Sequence, residues 1–595
     1  MLSTTAVFGG APVLGGAADA EWATNLDFFH YAFVSASLLG VALAFFNDDV
    51  SPGSVRWSWI AAELLPVSLS SKTAFRDIET TLVKAATQGS GVGRMLSEVL
   101  SAARGGQLFS HIDKWRRKLR LGYMLYWQTL KLRCSGTSRR QLFYQAAKVM
   151  LHLENRRHET EIESYLDIKR FMKSLELWPF AFEVSDVKNT CITCEGVKAY
   201  QMSSYSYLDF IREPLVQEAA LAAGRAWATG NHGARMLGGN ATILRDLEQV
   251  VGRFFGRKDS LLCATGFLAT MSGVCAVAKE GDLLLADSRV HASLRAGMKL
   301  SGAREMVFRH NNWQQLQQLL SRYRSRYRNC WVIVESVYSM DGDIADLPTL
   351  KRLATRYHCK ILLDEAHGLG VLGKTGRGLE EYFDMPGAAD VIVGTFSKSI
   401  AGVGGFITGD QDFVEFLDFH ALGSVFSAPL TAYSAGGAIM AFRLMQGEQS
   451  WRIGRAQQNA KYLRKALRSG NGHWPDHYPV DRKFEVEGVE CTTVIPVVFP
   501  NDPLRVCCIG RSLLKKGWVV GAAIYPACPM SRPRIRITAT AAYTREIMDK
   551  FVRDLVHTTV ECAPTDTESR MPPGPRVGMQ PAINASLAGS CGSPS

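Results

Sequence analysis

Lys398 stands where a lysine can do chemistry. It follows the apolar run Val391–Val393 and the turn Gly394-Thr395-Phe396-Ser397, and glycines 402, 404 and 405 come after it. The run predicts a short buried strand, so the amine lies at a strand end with the hydroxyls of Thr395, Ser397 and Ser399 beside it. An amine desolvated there binds its proton less tightly, and the neutral form can attack a carbonyl to form a Schiff base. The plainer reading is a surface turn with a solvated charge. Asp364 is the second candidate, because it closes another apolar run, 360–364. Neighbouring parallel strands would bring both side chains to the carboxyl edge of one sheet, where open α/β sheets bind ligands. A carboxylate there can keep a pyridine nitrogen protonated, which pyridoxal phosphate needs if its ring is to draw electrons from a substrate. The plainer reading of Asp364 is a helix N-cap.

The same stretch carries a competing pattern. Gly368 through Thr375 fit G-x-x-x-x-G-K-[ST], and residues 364–367 spell DEAH. Both strings occur in ATPases. There, however, the acidic box sits on a separate strand downstream of the phosphate loop, and that loop opens a helix. Here the box comes first, and Gly376 and Gly378 disfavour a helix at once. The ATPase reading is therefore set below the cofactor reading.

The elements that must hold these groups follow from periodicity. Helical patterns cover 218–228 and 243–255, and strand-like runs fall at 260–264, 283–286, 306–308, 331–335, 360–364 and 391–393. Such alternation predicts an α/β fold with a mostly parallel sheet and helices on both faces. Residues 430–467 return to helix, and a smaller α+β region has strands near 493–498, 518–521 and 534–538.

The chain has 595 residues, enough for several domains, and 47% of them are hydrophobic, enough for a substantial core. Much of its net charge of +12 lies before residue 160. Residues 111–133 place Trp115, Leu119, Tyr123 and Leu130 near helical spacing among Lys and Arg. This suits a helix on anionic lipid and equally a solvated helix packed on a neighbour. No recognition motif accompanies the charge, which argues against nucleic acid. Residues 28–46 contain no Asp, Glu, Lys or Arg. As a helix they would span about 28 Å, so a transmembrane anchor is expected, with a buried core helix as the alternative. The 13 cysteines are scattered, and Cys191 and Cys194 form a single CxxC with no second pair near it. Reduced thiols and no metal site are expected. The stretch from Pro564 is rich in Pro, Gly and Ser and reads as disordered.

Six ordered segments resemble the α-oxoamine synthases, fold-type-I pyridoxal phosphate enzymes that condense an amino acid with an acyl-CoA and release CO2. They are GNHGARMLGGNATILRDLE (230–248), ADSRVHASLRAG (286–297), ESVYSMDGDIADLP (335–348), DEAHGLGVLGKTGRG (364–378), GTFSKS with GGF (394–406) and RIRITATAAYT (534–544). The resemblance covers roughly 200–560. Within the family, Phe396-Ser397 before the lysine and FRHNN at 308–312 point to the bacterial, homodimeric serine palmitoyltransferase type. Three positions depart from the family pattern: Leu244 and Tyr543 replace histidines, and Gly368 replaces a serine.

The resemblance implies roles. Lys398 would bind the cofactor covalently and later take the substrate Cα proton. Asp364 would pair with the pyridine nitrogen, His367 would bond the cofactor's phenolic oxygen, and His291 would stack on the ring. The plainer reading of His291 is a helix cap. Gly266 and Phe267 would present backbone N–H groups to the phosphate, with Thr395 and Ser397 adding hydroxyls. Ser427 would reach the phosphate of the neighbouring subunit, making a homodimer necessary. Arg536 would clamp the substrate carboxylate, with Arg534 and Arg532 expected to be surface charges. The implied substrates are L-serine and a long-chain acyl-CoA. The implied setting is the endoplasmic reticulum membrane, with one span and the catalytic part facing the cytosol. Another α-oxoamine synthase using glycine or alanine, and a non-catalytic subunit, stay as alternatives. The expected domains are 1–70 with the span, a basic helical linker 71–195, an arm 196–250, a large cofactor domain 251–430, a small domain 431–562 and a tail 563–595.

Overall fold

The computed structural model describes residues 169–563, save 171, 174–176, 189 and 526. They belong to the second of the chain's two compact units, Glu163–Ser595. The expected membrane span 28–46, the basic helix 111–133 and the tail from Pro564 lie outside the described residues. Among the described residues no helix is long and apolar enough to cross a membrane.

The chain enters through three short strands, β1 (Val184–Lys188), β2 (Cys191–Cys194) and β3 (Val197–Gln201). A helical linker was expected up to residue 195. The alternation in Cys191-Ile192-Thr193-Cys194 overrides that expectation, because it puts Ile192 and Cys194 inward on a two-residue period. Strand geometry also sends Cys191 and Cys194 to opposite faces, so the CxxC does not converge on one point.

The central sheet has seven strands: β4 (Asp259–Cys263), β5 (Leu283–Asp287), β6 (Arg304–Phe308), β7 (Cys330–Glu335), β8 (Lys360–Asp364), β9 (Val391–Thr395) and β10 (Gly405–Gly409). Their spatial order is β4-β10-β9-β8-β7-β5-β6. The run from β9 to β6 is parallel, while β10 lies antiparallel between β9 and β4. The sheet is thus mixed. Sequence alternation does not reveal β10, because it follows β9 through a glycine-rich turn with no helix between. All residues of β4, β5, β7, β9 and β10 are buried, as befits strands covered on both faces.

Helices α1 (Pro214–Trp227), α2 (Thr242–Phe254), α3 (Gly266–Val277), α4 (Ala292–Ser301), α5 (Trp313–Tyr323), α6 (Leu347–Arg356) and α7 (Ala432–Gln446) accompany this sheet. The helical region 430–467 breaks at Gly447, after which α8 (Trp451–Ser469) begins. A second core contains Leu463 and Leu467 of α8, Ile509 and Leu513 of α9 (Pro503–Lys515), and Phe551 and Leu555 of α10 (Arg545–Glu561). It covers the antiparallel sheet β11 (Glu485–Val486)-β12 (Val494–Val498)-β15 (Arg534–Thr538)-β14 (Gly521–Ala523). The single run expected at 518–521 is two strands. β13 (Trp518–Val519) pairs with β3, and β14 pairs with β15.

Candidate active site

Strand register brings the charged groups together. Asp364 closes β8 and pairs across the ladder with Glu335, which closes β7. Its other neighbour, β9, delivers Thr395 and then Lys398 in the following turn. Burial is the first cause of every shifted pKa in this group. It pushes Lys398 down to about 8, against the pull of the Asp364 and Glu335 carboxylates. It raises Asp364, with Lys398 opposing, and lifts Glu335 to about 8 with help from the nearby Asp364 charge. It holds His367 well below the usual histidine range, with Lys398 and Arg536 adding to the effect.

Each candidate has a defined setting. Asp364 Oδ1 accepts from Ala366 N at 2.8 Å, leaving its other oxygen for a ligand. His367 Nδ1 lies 2.7 Å from the Tyr207 hydroxyl, and Tyr205 meets the same imidazole edge-on. The Tyr205 ring also stands 6.0 Å from Lys398 Nζ and 5.1 Å from the Arg536 guanidinium. His291 is the N-cap of α4: its Nδ1 accepts from Ser293 N at 3.2 Å. Its own N–H donates to Glu335 Oε1 at 2.5 Å. Capping and ring placement are thus compatible, since the cap uses Nδ1 and leaves the imidazole face. Phe267 approaches that ring edge-on at 6.3 Å.

Gly266 opens α3 behind the Thr265 cap. The first N–H groups of a helix have no acceptor within it, and its dipole favours an anion there. A Cβ on Gly266 would run into Thr395, at 2.5 Å from its hydroxyl, so only glycine allows the helix end to approach β9. Thr395 Oγ1 bonds Gly404 O at 3.0 Å and lies 2.8 Å from Ser397 Oγ. Ser427 is half-buried, and its hydroxyl donates to the adjacent Ala428 O.

The C-terminal arginines differ from the expected arrangement. Arg534 is fully buried, donating to Asp341 Oδ1 at 2.9 Å and Met340 O at 2.7 Å. It is inward because residues of a central strand flanked by β12 and β14 have no solvent face here, and Asp341 neutralises it. Arg532 is half-buried and pairs with Glu485 and Glu487. Arg536 instead makes a 3.5 Å bond to Ser339 O and stands over Tyr205.

The DEAH–GKT stretch is a chain of turns. Gly370, Gly373, Gly376 and Gly378 have positive φ, and no helix begins until Leu379. Lys374 is exposed, and Thr375 N donates to Glu381. A phosphate loop opening a helix is absent from it. Gly368 also has a local reason: a Cβ there would overlap Glu365 Oε2 and crowd Ser336. Tyr543 donates to Gln201 O at 2.7 Å, and Leu244 is a core residue.

Glu335, Tyr205 and Tyr207 were not singled out from sequence. The signal for Glu335 was available, because it ends a strand-like run as Asp364 does. The tyrosines lie in SSYSYL, which has no motif character.

The donor set fits pyridoxal phosphate. An amine of lowered pKa, a strand-end carboxylate, a planar histidine and a helix N-terminus that only glycine permits are its complements.

Residues 198–555 match the family described as aminotransferase class I and II. The chain is 31% identical to 8-amino-7-oxononanoate synthase of Thermoanaerobacter pseudethanolicus, over 60% of this chain and 87% of that protein. It is 28% identical to serine palmitoyltransferase of Sphingobacterium spiritivorum, over 66% of this chain and 94% of that protein. It is 32% identical to 4-hydroxy-2,2'-bipyrrole-5-methanol synthase PigH of a Serratia strain, over 60% of this chain, but spans only about half (52%) of that longer relative. A high-resolution structure of SPT with PLP as its internal aldimine superposes with a TM-score of 0.61 and 26% identity, covering 64% of this chain and 93% of that one. Pyridoxal phosphate is therefore the cofactor of this fold-type-I α/β transferase, and the chain belongs to the class I and II aminotransferase family, among its α-oxoamine synthase relatives.

Proposed function

We propose that this chain is a serine C-palmitoyltransferase, joining L-serine to palmitoyl-CoA and releasing CoA, CO2 and 3-ketodihydrosphingosine. The observation that carries the reading is the similarity to solved SPT over nearly all of that chain. The curated relatives favour a second reading. Since 8-amino-7-oxononanoate synthases match at slightly higher identity than serine palmitoyltransferase, another amino acid and acyl-CoA are the alternative. A non-catalytic subunit fits poorly, because Lys398, Asp364 and His291 are all present.

Bound pyridoxal phosphate supplies an aldehyde for the substrate amine and a ring that draws electrons from Cα. The chain's residues do the rest. Lys398, whose pKa burial pushes down to about 8, gives up its own proton more readily than a free lysine and would take the Cα proton at Nζ. Asp364, raised by burial with Lys398 opposing, would pair with the ring nitrogen. His291 would lie against the ring, held in place by its cap on α4. His367, kept neutral by burial and steadied at Nδ1 by Tyr207, would bond the phenolic oxygen through Nε2. Gly266, Phe267, Thr395 and Ser397 would receive the phosphate. Arg536, with no carboxylate bonded to it among the described residues, offers its guanidinium to the substrate carboxylate.

The reading includes a homodimer. Leu237, Phe419 and Phe426 are 81%, 69% and 80% exposed, and Phe426 adjoins Ser427. A second copy would cover these side chains and receive Ser427 in its own phosphate site. The reading also includes attachment to the endoplasmic reticulum membrane through 28–46, with the catalytic part in the cytosol. A long acyl chain partitions into a bilayer at about 0.8 kcal/mol per methylene, so an enzyme held there meets both its substrate and its product. Fractionation with protease protection tests the location, and a substrate panel tests the activity.

A further inference from the structure

The FRHNN segment has a geometry that the chemistry above does not use. His310 follows β6 and lies between two carboxylates. Its Nδ1 is 2.9 Å from Asp287 Oδ1, at the end of β5, and its Nε2 is 2.8 Å from Asp343 Oδ2, in the loop after β7. Asn311 repeats the bridge: its N–H donates to Asp287 Oδ2 at 2.8 Å, and its side-chain amide to Asp343 Oδ2 at 3.1 Å. Tyr338 packs edge-on against the imidazole at 4.5 Å.

The two carboxylates belong to loops that reach the active site. Asp287 begins the segment that ends at His291, and its Oδ1 also accepts from Arg289 N. Asp343 closes the turn that starts at Tyr338 and Ser339, with Tyr338 N donating to Asp343 O. That turn is fastened to β15, because Arg534 bonds Met340 O and Asp341, and Arg536 bonds Ser339 O. Arg289 pairs with Asp341 as well, closing the circuit.

We propose that His310 is a charged latch joining these two loops, so that it fixes the spacing between His291 and Arg536 and sets the affinity of the site for the substrate's carboxylate. It is a positioning residue, acting through Asp287 and Asp343, and the proposal rests on the reading of Arg536 as the carboxylate clamp. With a carboxylate at each nitrogen, both must donate, so the ring carries its proton. The hydrogen bonds from His310 to Asp287 and Asp343 outweigh burial and push its pKa up to about 9. The charged groups facing it are Asp287 from β5 and Asp343 from the loop after β7, with the Tyr338 phenol of that loop packed on the ring. The raised pKa gives the sign: the latch is complete below about pH 6.5 and is lost as pH rises through about 9.

The test titrates the holoenzyme with L-serine, following the cofactor's absorption from pH 6.5 to 10, in wild type, Asp343→Asn and His310→Gln. Asp343→Asn leaves His310 one carboxylate, so the alkaline loss of serine affinity should move to lower pH than in wild type. The substrate's own amine titrates alike in both proteins, so the difference between them reports His310. His310→Gln should weaken serine binding at least about fivefold, within the usual range of coupling between sites, with cofactor affinity nearly unchanged. The double variant, which removes one uncompensated carboxylate, should recover part of that loss. Unshifted pH profiles in Asp343→Asn, or variants that lose thermal stability alone, would overturn the latch. If wild type binds glycine or alanine but not serine, the substrate reading fails, and the latch is tested with the amino acid that binds.

Discussion

Glu335 and Asp364 end neighbouring parallel strands directly opposite each other, so two carboxyl groups share one buried edge beside Lys398. Burial raises both, the Asp364 charge adds to the rise of Glu335, and Lys398 opposes it in each. One proton is therefore retained more readily, and Lys398 supplies the compensating charge.

Replacing Glu335 tests this pairing. Its folded pKa of about 8 exceeds the ordinary carboxyl value, so the stability it contributes is complete at low pH and is lost as pH rises through about 8. Glu335→Gln should flatten the fall in Tm of the apoenzyme between pH 5 and 8, by at least about 3 °C. Thermal unfolding across that range checks it, and an unchanged slope would place the titration elsewhere.

Lys398 should capture its cofactor faster as pH rises. Since its amine is half neutral near pH 8, the rate at which the apoenzyme takes up pyridoxal phosphate should climb with a midpoint near there. Stopped-flow absorbance from pH 6 to 10 reads this. Lys398→Ala should show no such covalent step.

Arg534 and Arg536 alternate with Ile535 on one strand and should fail differently. Arg536→Ala should raise the amino-acid KM by about 100-fold with cofactor binding intact, consistent with about 3 kcal/mol for charged hydrogen bonds. Arg534→Ala removes one of the two guanidiniums on the buried Asp341, leaving Arg289, and should cost about 1.5–3 kcal/mol of stability with the amino-acid KM nearly unchanged. Denaturant unfolding beside steady-state kinetics separates the two.

Tyr207→Phe removes the hydroxyl at His367 Nδ1 and nothing else of size. A net hydrogen bond is worth about 0.5–1.5 kcal/mol, so cofactor affinity should fall about two- to tenfold. Equilibrium dialysis against pyridoxal phosphate measures it.

Much of this site was legible because strand ends announce themselves. Asp364 and Lys398 each close an apolar run, and buried parallel strands must place such residues on one edge. The motif order around them carried His291, His367 and Gly266. What stayed hidden depends on packing between distant segments. Arg534 and Arg536 look equivalent in RIRIT, and only the Asp341 turn distinguishes the buried pair from the available guanidinium. Tyr205 and Tyr207 reach the site from a segment outside the sheet, so no periodicity points to them. The strand β10 was concealed by the glycines before it, and β1–β2 by their shortness.

Substrate choice separates serine palmitoyltransfer from the other α-oxoamine condensations. The most direct measurement assays purified full-length protein, loaded with pyridoxal phosphate, using serine, glycine and alanine against acyl-CoA of C4 to C18. L-serine with palmitoyl-CoA should give the highest kcat/KM, with 3-ketodihydrosphingosine and CO2 formed in equal amounts. No ketone from that pair, with turnover of glycine or alanine on another acyl-CoA, would contradict the account.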